Sequence, residues 1–177
     1  MAFQWLEARE ILSRTPRLLR ALLADVTPAW TAARERPESW SPHEVLAHLI
    51  QGERDDWVPR ARRILEVGTA SAFEPFERDA HLAWCGEHSV VDLLDEFAAQ
   101  RETNLRTVDD MAPGEEALRQ RGTHLTLGPV TLEQLLATWV VHDLNHVNQI
   151  TRALAARYSK TVGPWNHRDF LRILNGD

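Results

Sequence analysis

Apolar residues along this chain recur mostly at spacings of three and four, and the recurring runs open at recognisable helix starts. Such a chain buries its apolar stripes by packing helix against helix. Ser41-Pro42-His43-Glu44 is the clearest start: Ser41 caps, Pro42 takes the first turn, and Glu44 reaches back to close a capping box. A helix is expected over 42–66, burying Val45, Leu46, Leu49, Ile50 and Trp57, kinking at Pro59 and stopping at Gly68. Thr131-Leu132-Glu133-Gln134 makes a second capping box and opens a helix that runs toward Tyr158.

Thr15-Pro16 reads as an N-cap and first helical residue before Leu18, Leu19, Leu22 and Leu23, which predicts a helix over 16–25. An earlier segment from Trp5 continues into it through a kink at Pro16. Ser89-Val90-Val91-Asp92 opens another helix, with Leu93, Leu94, Phe97, Leu105 and Val108 buried. Residues 69–88 show no periodicity, residues 112–130 read as a loop, and a short tail helix is expected from Asn166 to Leu174. The pattern predicts an all-α protein: one domain over 1–177, a four-helix bundle with long connections that is not a simple up-and-down bundle.

Composition narrows the function. The 177 residues are 44% apolar with one cysteine, so a core can form without disulfides, and Cys85 fits a reducing, cytoplasmic setting. No apolar run approaches the ~20 residues needed to cross a bilayer, and a charged N-terminus argues against a secretion signal. A net charge of −6 gives no reason to expect a nucleic-acid partner. The tight basic group Arg60, Arg62 and Arg63 is surrounded by Glu53, Asp55, Asp56 and Glu66 and reads as a solvated, ion-paired face.

The chemistry concentrates in histidines. His142 and His146 are four residues apart on the last long helix, so their side chains lie about 40° apart on one face. Two imidazoles at that spacing can each direct a nitrogen to one ion without straining the backbone. The pair borders the arc of Leu135, Leu136, Trp139, Val140, Val147 and Ile150, where another helix could add a third ligand. His48, beside Leu49 and near the apolar side of its helix, is the best candidate. His43 lies about 140° around that helix from His48, so both cannot face one ion. His81, His88, His124 and His167 fall in or beside loops or the tail and read as solvated, although His81 or His124 could enter a site from above.

Trp40-Ser41-Pro42, then Glu44-Val45-Leu46-Ala47-His48-Leu49, and later His142-Asp143-x-x-His146-x-x-Gln149 together resemble the DinB/YfiT-like superfamily over roughly residues 10–155. Arg101 and the Gly128-x-x-Thr131-Leu132 stretch belong to the same resemblance. It implies a four-helix bundle with a long crossover after the second helix. It also implies a divalent ion, often nickel or zinc, on three histidines that fall here on His48, His142 and His146. Metal-dependent thiol transferases using a low-molecular-weight thiol, isomerases and hydrolases are the activities it suggests. Some thiol-dependent relatives carry a carboxylate where this chain has His142.

Three neutral imidazoles would leave an ion its full charge and an open position, so a metal-activated water or thiol attacking a small electrophile is expected. The alternative is a non-catalytic metal-binding helical module whose apolar surface makes a homodimer. Asp143 falls inside the apolar arc, where it would orient a histidine or arginine or form an ion pair with an arginine such as Arg101. Gln149 is a candidate for the same supporting shell, and Glu53 reads as part of the solvated face. Trp40 reads as a staple over the start of its helix.

Overall fold

The computed structural model describes residues 3–167 and 169–174. Among them the chain forms α1 (Trp5–Leu12), α2 (Thr15–Leu23), α3 (Pro28–Thr31), α4 (Pro42–Asp55), α5 (Trp57–Glu66), α6 (Val90–Met111), α7 (Glu115–Arg119) and α8 (Leu132–Ala156). A short antiparallel hairpin, β1 (Arg121–His124) with β2 (Gly128–Thr131), stands before α8. Four columns, α1–α2, α4–α5, α6 and α8, make a four-helix bundle, with α4 packed between α6 and α8, α1 against α8 and α2 against α6. The segment between Glu66 and Val90 is the long crossover.

Ser41, Ser89 and Thr131 each close a capping box, so three columns begin where a short polar side chain satisfies the first-turn N–H groups. Gly68 follows the end of α5 with φ 65°, the left-handed conformation that glycine adopts at least cost. The expected helix over 42–66 is divided at Asp56 and not simply kinked at Pro59. The ring of Pro59 crowds the carbonyl four residues back, at Asp55, and the break falls beside that carbonyl. Likewise α1 and α2 are separate helices, and Thr15 does not cap, because its hydroxyl donates back to the Ile11 carbonyl at 3.3 Å.

Residues 112–130 are not a plain loop, since they hold α7 and most of the hairpin. Four-residue strands offer too little alternation to register in the sequence. The hairpin is tied to the crossover: the Phe73 N–H donates to the Thr123 carbonyl at 2.8 Å, and a Cβ at Gly122 would sit 2.6 Å from the Phe73 ring. The expected tail helix over 166–174 is mainly turns ending in a 3-10 turn, Arg172–Leu174; Arg168 lies outside the described residues. Residues 1–2 and 175–177, the ends of the expected single domain, are also outside them.

Two apolar clusters fill the bundle. One stacks Trp5, Trp139 and Trp57, with ring centroids 6.4 and 5.8 Å apart, and the other gathers Leu19, Leu46, Phe97 and Ile150. Arg101 lies at their junction, its guanidinium 5.1 Å from the Trp139 ring and 4.8 Å from Phe97. Among the described residues no helix is long and apolar enough to cross a membrane.

Candidate metal centre

Packing of α4 on α8 brings His48 to His142 and His146, and one nitrogen from each ring lies within 4.8 Å of the others. Ring centroids are 5.5 Å apart for His48 and His142, 4.8 Å for His48 and His146, and 4.3 Å for His142 and His146. The Nε2 atoms of His142 and His146 are 3.1 Å apart. Two nitrogens sharing one tetrahedral ion at bonds of ~2.0–2.1 Å stand about 3.3 Å apart, so this pair already has nearly that spacing. His146 Nδ1 donates to Gln149 Oε1 at 2.8 Å, which leaves its Nε2 lone pair directed at His142. Two ring nitrogens at that distance need a proton or a cation between them. His48 Nδ1 and His142 Nδ1 are buried without hydrogen-bond partners.

Burial, followed by the neighbouring imidazoles and Arg78, pushes the His48 pKa down to about 3. Burial, His146 and Arg101 do the same for His142, also to about 3, and burial lowers His146 despite Gln149 and Asp143. All three are therefore neutral at pH 7, the form that binds metal.

One wall of the site is Trp40, whose ring centroid is 4.7 Å from His48, 4.5 Å from His81 and 6.4 Å from His146. It does more than staple a helix start. His81, expected to be solvated, is wholly buried in the crossover, 5.1 Å from the His48 ring. Gln51, one turn beyond His48, holds that crossover: its Nε2 donates to the Glu77 carbonyl at 2.8 Å and its Oε1 accepts from the His81 N–H at 3.2 Å. The sequence signal for Gln51 was a polar residue on the His48 side of an apolar helix. On the other side a cleft of about 670 Å³ runs from the histidines to the hairpin, between Trp57, Phe73, Phe76, Leu125 and Leu127.

Asp143 and Glu53 belong elsewhere. Both Asp143 oxygens accept from Arg101, at 2.6 and 2.9 Å, so the ion pair, and not a histidine, occupies that carboxylate. Glu53 is 2% exposed and not on a solvated face: its Oε1 accepts from Arg101 and from Trp139 Nε1, and its Oε2 from Asn104. Asp56 is buried as well and pairs with Arg60 at 2.8 Å. His43 contacts the His88 carbonyl away from the cluster, His88 is exposed, His167 lies beside Asp169, and His124 lines the outer cleft on β1.

A model of the DinB superfamily matches residues 11–150. No curated protein sequence matches the chain. Among solved structures, the fold is similar to YfiT from Bacillus subtilis, described as a probable metal-dependent hydrolase with an unusual four-helix bundle topology. That similarity has a TM-score of 0.72 at 19% identity and covers 90% of this chain and 88% of the other. TT2238, a four-helix bundle protein, gives a TM-score of 0.57 at 22% identity, over 84% of this chain and 98% of the other.

Proposed function

The chain belongs to the DinB superfamily, and from that premise we propose that it is a metal-dependent hydrolase of a small substrate, with His48, His142 and His146 as ligands to a divalent ion. The observation that carries the reading is the meeting of three neutral imidazoles from two helices at one end of an open cleft, with two Nε2 atoms 3.1 Å apart. The similarity of fold to YfiT, itself described as a probable metal-dependent hydrolase, supports it. Nickel and zinc both suit an all-imidazole set. Three neutral imidazoles would leave such an ion its full charge, and the chemistry it would supply is a nucleophile at neutral pH, through a lowering of the pKa of water to about 7.

The chain's own residues supply the rest. Gln149 holds the His146 ring by accepting from Nδ1, which keeps Nε2 free to ligate. Trp40 and Trp57, the latter 5.0 Å from the His142 ring, shield the imidazoles from water on their flanks. Phe73, Phe76, Leu125 and Leu127 give the cleft an apolar wall for the body of a substrate. Asp56 lines the same cleft, and burial pushes its carboxyl up to about 6, so it exchanges protons close to neutral pH. Cys85 is buried outside the cleft, so a thiol nucleophile would have to come from a second substrate.

A panel of small aryl esters and anilides, assayed with zinc- or nickel-loaded protein, tests the proposal. Hydrolysis that disappears with chelator, and falls at least about 100-fold in His48→Ala at saturating metal, is the expected result. Turnover indifferent to chelator overturns it. Formation of a thiol adduct in place of the free acid, when a low-molecular-weight thiol is added, replaces it with a transferase.

A further inference from the structure

Two arginines line the cleft, and they differ in one respect. Arg60 is matched by the Asp56 carboxylate at 2.8 Å. Arg78 forms no ion pair with any carboxylate among the described residues; its guanidinium carbon lies instead 4.6 Å over the Trp40 ring. Arg101 has Glu53 and Asp143, Arg34 has Glu44, and Arg54 has Glu96; Arg157, which stands over Trp30 without an ion pair among the described residues, does not line the cleft, and Arg78 does.

The backbone beneath Arg78 is fastened on both sides. Gln51 binds the Glu77 carbonyl before it and the His81 N–H after it, and His81 Nδ1 donates to the carbonyl of Arg78 itself at 3.2 Å. Trp40 in turn packs on His48, His81 and His146. Gln51, His81 and Trp40 are thus spent on fixing where this cation stands relative to the three imidazoles. A planar guanidinium held on an aromatic face, with no carboxylate partner among the described residues, is suited to an oxyanion. The whole chain carries a net charge of −6, which repels anions at a distance, so an anionic group entering here needs a local cation to receive it.

We propose that Arg78 is a specificity-determining residue, and that the substrate is a small molecule with an apolar body and a carboxylate or equivalent oxyanion, the anion on Arg78 and the body against Phe73, Phe76 and Leu127. This deepens the reading of the cleft as a hydrolytic site and rests on it for the reaction, but not for the binding.

The test is the binding of 3-phenylpropanoate and of its neutral amide, by calorimetry, to metal-loaded and to chelated protein. The carboxylate binds about tenfold or more tightly than the amide in both forms of the wild type. In Arg78→Met the preference disappears while metal content and melting temperature stay at wild-type values, and Arg78→Lys keeps part of it. A preference that survives in Arg78→Met, or its absence from the wild type, overturns the inference. A preference seen only with metal present also overturns it, because the anion is then on the ion. Anion binding that depends on Arg78, without any chelator-sensitive ester hydrolysis, leaves the inference standing and removes the hydrolase reading.

Discussion

The same two helices build two polar clusters about a turn apart, and they are finished differently. In one, Glu53 of α4 and Asp143 of α8 meet Arg101, and the Trp139 and Asn104 side chains and the Leu12 carbonyl complete the set. Arg101 is 1% exposed; burial works against its charge, but the two carboxylates outweigh that and raise its pKa. In the other, His48 of α4 meets His142 and His146 of α8, two Nδ1 atoms have no partner among the described residues, and two Nε2 atoms stand 3.1 Å apart. A buried polar group without a partner costs on the order of 1–3 kcal/mol. The first cluster is closed and serves the scaffold. The second is left open, with ring nitrogens from two helices grouped within 4.8 Å of one another.

The contrast is broken most forcefully at Arg101. Arg101→Met leaves Glu53 and Asp143 buried and opposed, and the chelated protein is expected to lose roughly 3–5 kcal/mol of stability in a urea titration. A loss below about 1 kcal/mol would mean that the closed cluster is not a structural clamp. His142→Leu inverts the pattern. Metal affinity falls about 100-fold or more, while the stability of the chelated protein changes by no more than about 1 kcal/mol, because loss of the Nε2 contact with His146 is offset by removal of a buried Nδ1 that lacks a partner. Competition with a chromogenic chelator reads the first quantity and urea the second.

Acid sharpens the comparison. The lowered folded-state pKa values of the three histidines mean that the unfolded chain takes up protons first. The contribution of His48 and His142 is fully present above about pH 6.5 and is lost as pH falls through 6.5 toward 3, and His146, also lowered, acts with the same sign. Asp56 works in the opposite sense, since a carboxyl raised to about 6 sheds its burial cost as pH drops from 6 toward 4. Glu53 acts with Asp56, and His81 and His124 act with the three histidines, so five groups oppose two and the chelated protein destabilises over that window, by at most ~1.4 kcal/mol per pH unit for each histidine. Denaturation midpoints at pH 7 and 5 check the sign; a midpoint that rises at pH 5 contradicts it. The smallest effect is at Gln149→Ala, where His146 loses its acceptor: metal affinity drops about tenfold and stability hardly moves.

What could be read from the sequence was set by how local its cause is. Ser41, Ser89 and Thr131 announce their helices because a cap is a contract between residues three apart. The His142–His146 pair is legible for the same reason: one helix turn fixes it. His48 needed only that α4 present its apolar side to α8. Glu53 was misread because its sequence neighbours Arg54 and Asp55 are exposed, and the partner that buries it, Arg101, comes from a different helix. His81 was misread because it lies on an aperiodic segment whose position is decided by Gln51 and by the meeting of crossover with hairpin. Asp143 stayed open between two roles until Arg101 took both of its oxygens.

X-ray absorption by zinc-loaded protein, beside zinc-loaded His48→Ala, tests most directly whether imidazoles from two helices hold one ion. Three histidine nitrogens at ~2.0–2.1 Å in the wild type and two in the variant are expected. An equal histidine count in both proteins would contradict the account.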